Sequence, residues 1–150
     1  MIEIDPVSGA QTPVDTLPLP LPDLVFGSDG TLYVVSQDPG GVAPELPVIW
    51  SRPDGGAFGI LVESAALGLP DGIAIDEGGG RLLVASNVGP ESDQLLEVTL
   101  AGGAVRALVD IDIDDGFFPS GVVYDGLGRA AVRATDVGAA VDGFELPFPL

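Results

Sequence analysis

The sequence predicts an all-β fold assembled from repeated four-stranded antiparallel sheets, and three observations carry that prediction. A unit of two apolar runs split by an acidic, Gly-rich turn occurs three times, as LPDLVFGSDGTLYVVSQ from Leu21, LPDGIAIDEGGGRLLVASN from Leu69 and FPSGVVYDGLGRAAVRAT from Phe118. Pro22, Pro70 and Pro119 mark its starts at a spacing of 48 and 49 residues. Strand-rich units at such a period point to the blades of a β-propeller rather than to a helical solenoid. Finally, no helical period of 3.6 is sustained anywhere, and the best stretch, Val62 to Leu67, is too short to count.

In chain order, Ile2 and Ile4 alternate with polar neighbours before the turn Asp5-Pro6-Val7-Ser8-Gly9, which gives an outer hairpin over 2–14. The first inner hairpin follows over 21–37, where the turn Gly27 to Gly30 separates LVF from LYVVS. VIWSRPDGGAFGILV repeats the outer hairpin over 48–62, and Trp50 on it is expected in blade-to-blade packing. The second inner hairpin occupies 69–87, with its turn over Glu77 to Gly80. LLEVTLAGGAVRALV supplies the third outer hairpin over 95–109, and the third inner hairpin covers 118–135. Inner strands are apolar on both faces, as a sheet packed between neighbouring sheets requires; outer strands carry Glu3, Arg52, Glu97 and Arg106, expected toward solvent. The whole of 1–150 thus reads as one propeller segment of three blade equivalents.

Composition agrees with this reading and excludes much chemistry. Gly 22 and Pro 14 are high, yet hydrophobic residues make up 46% of the chain, so tight turns between buried strands explain the figures and disorder does not. The net charge of −18, with no lysine, argues against a nucleic-acid backbone and against an anionic membrane surface as partners. Cysteine and histidine are absent, which removes disulfides, thiolate nucleophiles, Ser-His-Asp triads and imidazole metal sites. Any chemistry falls to carboxylates, amides, hydroxyls and a hard cation. MIEIDPVSGA lacks the basic and apolar regions of an export signal, and no run approaches a membrane span, so the chain reads as cytoplasmic or as a fragment of a secreted protein.

The ends bear on assembly. Glu145-Leu146-Pro147-Phe148 matches Glu45-Leu46-Pro47-Val48, so the chain starts on an outer hairpin and stops where another would begin. Three blades cannot close a ring, since propellers need about four or more, and an open sheet edge invites pairing. A homo-oligomer through edge strands is therefore expected: a two-fold ring of six blades or a head-to-tail filament. A segment of a longer propeller is the plainer alternative.

PDGIAID, a Gly-rich turn and RLLVAS together resemble the six-bladed NHL and gluconolactonase (senescence-marker) propeller superfamily, as does the outer hairpin IEIDPVSGAQTPV. The resemblance implies a divalent cation, often Ca²⁺, at the channel mouth, held in part by the Asp of a Pro-Asp-Gly motif. Asp71 matches that Asp, Asp23 stands in a Pro-Asp-Leu version and Ser120 replaces it in the third copy. An Asn-Gly entry and a Glu-Gly-Pro entry for the remaining ligands are missing.

Residues just before the innermost strands point toward a channel mouth, so Asp23, Asp71 and Ser120 are expected to form a ring there. Converging carboxylates suit Ca²⁺ or Mg²⁺, and such a cation could polarise a carbonyl or activate water. The same aspartates can instead hold local backbone amides. Asp110, Asp112, Asp114 and Asp115 before Gly116 form a second candidate that resembles a calcium loop, although Gly121 stands where the bidentate Glu should be; a strand end with its acids in water fits equally. Gln37, Asn87 and Thr135 occupy matching places after the second inner strand, on a loop rim or as ordinary loop polarity. The favoured function is a non-enzymatic module for binding or self-assembly, with a cation-dependent lactonase or esterase-like hydrolase as the alternative.

Overall fold

The computed structural model describes residues 2–13, 17, 21–37, 46–87, 93–111, 117–136 and 144–145. Its strands are β1 (Ile2–Ile4), β2 (Gln11–Pro13), β3 (Leu24–Phe26), β4 (Leu32–Ser36), β5 (Val48–Arg52), β6 (Gly59–Glu63), β7 (Leu69–Asp76), β8 (Arg81–Asn87), β9 (Asp93–Thr99), β10 (Val105–Ile111), β11 (Phe117–Tyr124), β12 (Ala130–Asp136) and β13 (Phe144–Glu145). Within each sheet, strands that follow one another in sequence pair antiparallel. They form a four-stranded sheet β3-β4-β5-β6, a second β7-β8-β9-β10, a three-stranded sheet β11-β12-β13, and the hairpin β1-β2 by itself. The architecture is the expected one: propeller blades, with the inner hairpin first in each sheet. A single 3-10 turn, Ala65–Leu67, is the only helical element among the described residues, and no helix there is long and apolar enough to cross a membrane.

Tight turns follow from local chemistry. In the second inner hairpin, Asp76 Oδ1 accepts from the Gly79 amide at 2.9 Å, and Gly80 closes the turn at φ 64°, a conformation that only glycine adopts without strain. Glu77 of the same turn accepts from the Ser28 amide in the equivalent turn of the first sheet, so the turns tie neighbouring blades together as well as reversing the chain.

The core lies between sheets. Val35, Ile49 and Leu67 from the first blade pack against Ile73, Leu82, Val84, Leu96 and Val98 of the second. The second blade's other face, Ala74, Leu83, Ala85 and Leu95, meets Val122, Ala130 and Val132 of the third. β8 is buried on both faces, which is why its sequence is an unbroken apolar run. Trp50 lies on the outward face of the first blade, with Leu17, Leu32 and Val34. Its indole Nε1 is buried without an acceptor among the described residues.

One expectation fails. Glu97 does not face solvent: it is 8% exposed and bracketed by Arg81 Nη1 at 2.7 Å and Arg106 Nε at 3.0 Å, while Arg81 also donates to Asp76 Oδ2 at 2.8 Å. A buried carboxylate needs paired charge, and the antiparallel register supplies it by setting Glu97 opposite Arg106. The Arg106 and Arg81 bonds hold the Glu97 carboxyl below the ordinary glutamate range.

Candidate binding mouth and open blade faces

The innermost strands β3, β7 and β11 line an open groove of about 740 Å³, with Asp23, Ile73, Ser120, Val123, Tyr124 and Arg133 on its walls. Asp71 is not among the residues that line it and is bonded instead across the seam between the first two blades. Pro70-Asp71-Gly72 makes a β-bulge: Pro70 pairs with Ser86 and Gly72 with Ala85, which leaves Asp71 as the extra residue. Pro119-Ser120-Gly121 makes the same bulge against Ala134 and Arg133. A bulge bends its strand and re-aims the extra side chain.

Pro22-Asp23-Leu24 makes none. Leu24 pairs with Val34, and the Asp23 carbonyl accepts directly from the Val35 amide at 3.2 Å. Asp23 therefore holds the register position of Gly72, not that of Asp71, although the Pro-Asp dipeptide aligns it with Asp71. Its carboxylate crosses to the next blade: Oδ2 accepts from the Ile73 amide at 3.0 Å, and Oδ1 from the Leu24 amide at 2.9 Å.

The other predicted residues take separate partners. Asp71 Oδ1 accepts from Gln37 Nε2 at 2.7 Å, across the first seam. Burial raises the Asp71 carboxyl above the ordinary aspartate range, with the Gln37 bond pulling the other way. Ser120 Oγ accepts from Arg133 Nε at 3.1 Å and donates to the Arg133 carbonyl at 3.3 Å. Asp110 is exposed and accepts from Gln94 Nε2 at 2.7 Å, while Asp112 and Asp114 lie outside the described residues. Among the described residues no three acidic side chains stand close enough to hold a metal ion, and the Asp23 oxygens are already held by amides. Among the described residues this donor set does not make up a Ca²⁺ or Mg²⁺ cage.

A feature missed in the sequence sits at the seams. A Cβ on Gly72 would lie 2.4 Å from Gly121 Cα and 2.8 Å from the Val122 amide nitrogen, so only glycine lets β7 approach β11 this closely. Gly121 holds the same register position one blade on, yet a Cβ there meets nothing within 4 Å among the described residues. The third blade's far face is open in the same way. Val123 is 68% exposed, whereas its counterpart Ala74 is 6% exposed beneath the third blade. At the other end of the arc, Leu24 and Phe26 are 44% and 60% exposed on the outward face of the first blade. The signal was legible as the glycine that follows Pro-Asp and Pro-Ser in two copies, but its meaning depends on which strand lies opposite.

No protein-family model matches the chain, and no curated protein matches it in sequence. Solved structures do. A gluconolactonase from Xanthomonas campestris is 18% identical at a TM-score of 0.65, over 99% of this chain and 55% of that one. A nidogen/laminin complex is 18% identical at a TM-score of 0.59, over 83% of this chain and 47% of that one. The chain spans about half the length of both. Likeness at this identity speaks for the fold, a stretch of β-propeller, and for nothing finer.

Proposed function

We propose that this stretch of propeller is a self-assembly module, in which the open face of the third blade receives the outward face of the first blade of a second copy. The observation that carries the reading is the pair of glycines: Gly72 is required by the strand packed over it, while Gly121, in the same register, has nothing over it among the described residues. The exposed Val123 on one open face and Leu24 and Phe26 on the other are apolar surfaces of the kind the two internal seams bury. Asp23 is compatible with the fit, because its side chain is turned forward to Ile73 and leaves its back to an incoming glycine.

A two-fold pair of three-blade arcs makes six blades, within the range in which propellers close, and joins two half-grooves into one channel. The net charge of −18 per chain gives that channel's surroundings a negative field, so cationic or neutral ligands suit its mouth better than anions. The test is solution mass by light scattering. A discrete dimer is expected, with Gly121→Ala weakening it at least tenfold while the monomer stays folded. A wild-type chain that remains monomeric at high concentration refutes the reading.

A further inference from the structure

We infer that the hairpin β1-β2 is the outer half of a third blade, and that the blade it completes is that of a second copy; this rests on the self-assembly reading above. The turn identifies the hairpin's place. In β1-β2 the Asp5 amide donates to the Ala10 carbonyl at 2.9 Å and the Gly9 amide to the Asp5 carbonyl at 2.8 Å. In the outer hairpin β9-β10 the Thr99 amide donates to the Ala104 carbonyl and the Gly103 amide to the Thr99 carbonyl, both at 3.0 Å. Asp5 is thus the counterpart of Thr99, Ile4 of Val98 and Ile2 of Leu96. Val98 and Leu96 are 0% and 2% exposed, whereas Ile4 and Ile2 are 60% and 58% exposed. Two core positions of an outer hairpin face water because the hairpin forms a sheet alone.

The third blade offers the matching edge, on which β1 would displace the short β13. β8 pairs with β9 continuously from Arg81↔Thr99 to Asn87↔Asp93. Among the described residues β12 pairs with β13 through Ala131↔Glu145 and Val132↔Phe144. Carrying the pairs Leu82↔Val98 and Val84↔Leu96 one blade onward sets Ile4 opposite Ala130 and Ile2 opposite Val132, in the place β13 now takes. There the two isoleucines would extend the layer in which Leu95, Leu108 and Val109 are packed.

Connectivity selects the occupant. β6 leads from the outer edge of the first blade into the innermost strand of the second, and β10 likewise leads into β11. By the same rule β2, which leads into β3, belongs to the blade before the first. In a two-fold ring that blade is the partner's third, so the face contact at Gly121 and the strand exchange fall at one junction. Backbone pairing then adds to face packing, which is the strand-addition mode of recognition.

The absence of cysteine permits a direct test in the full chain. Ile4→Cys and Ala130→Cys variants are mixed and oxidised, since directly opposed strand residues lie within disulfide reach. A covalent species of twice the chain mass is expected from the mixture, and none when Val7→Cys, 95% exposed in the turn, replaces Ile4→Cys. Ile2→Cys with Val132→Cys repeats the test should Ala130→Cys fail to fold. A dimer by light scattering without these cross-links overturns the exchange and leaves face-to-face assembly standing. A monomer by light scattering overturns both, and a link formed within one chain that carries Ile4→Cys and Ala130→Cys together overturns the exchange.

Discussion

Gly72→Ala isolates the contact on which the blade arrangement depends. The added Cβ would stand 2.4 Å from Gly121 Cα and 2.7 Å from Gly121 C, both backbone atoms that no rotamer change can move aside. Carbon atoms pack at about 3.5–4.0 Å, so β7 and β11 must part by about 1 Å. Overpacking of this kind costs about 1–3 kcal/mol. The parted strands also loosen the layer of Ala74, Leu83, Ala85 and Leu95 against Val122, which places the expected loss at the upper end. A loss of about 3 kcal/mol corresponds to a Tm fall of about 6–12 °C in a chain of this size. Urea unfolding followed by circular dichroism, at a chain concentration too low for association, reads the difference directly. Gly121→Ala is the internal control: with nothing within 4 Å among the described residues it should be neutral or up to about 1 kcal/mol stabilising in the monomer, through the stiffer unfolded chain. Equal effects of the two substitutions, or a Gly72→Ala chain within about 0.5 kcal/mol of wild type, would refute the close approach of β7 to β11.

Four further outcomes are expected. Glu97→Ala should cost about 1–3 kcal/mol because it takes from Arg81, in a largely buried site, one of its two carboxylate partners and leaves only Asp76, whereas Arg106→Ala, whose side chain is 66% exposed, should cost clearly less; chemical denaturation separates them. The pH profile should carry two opposed contributions. The lowered Glu97 carboxyl stabilises fully above about pH 4.3 and loses that contribution as the pH falls through its folded value. Asp71 and Asp93, both raised by burial, favour the folded state most below about pH 3.9 and lose that contribution as the pH rises through their folded values. Asp71→Asn should therefore gain stability relative to wild type at pH 7 but not at pH 3, as thermal melts at the two pH values will reveal. Asp23→Ala should cost about 1–3 kcal/mol and speed exchange of the Ile73 amide proton, since that N–H loses its cross-blade acceptor. Millimolar Ca²⁺ or chelator should move the Tm by less than about 1 °C; a larger rise with Ca²⁺ that vanishes in Asp71→Ala would restore a cation site at the seam.

The blade repeat was legible because strand chemistry is local. Alternation, Pro at strand entries and Gly-rich turns are written in consecutive residues, and the strands β3-β4, β7-β8 and β11-β12 stand where those signals lie. The site was not legible to the same degree. Aligning Pro22-Asp23 with Pro70-Asp71 treats the two aspartates as equals, but a one-residue bulge separates their register and sends one carboxylate to a backbone amide and the other to Gln37. Glu97 reads as a solvent-facing acid on an outer strand until the pairing of β9 with β8 and β10 brings two arginines to it.

What the sequence determined by itself was therefore the element order, the hairpin alternation and the blade count, all properties of neighbouring residues. The tertiary structure alone decided which glycine is crowded, which face is open and which carboxylate is buried. The first two depend on what lies across a seam, roughly one blade repeat away in the chain, and the third on the strands paired on either side of β9; a period-2 pattern says which way a side chain turns without saying what it will meet.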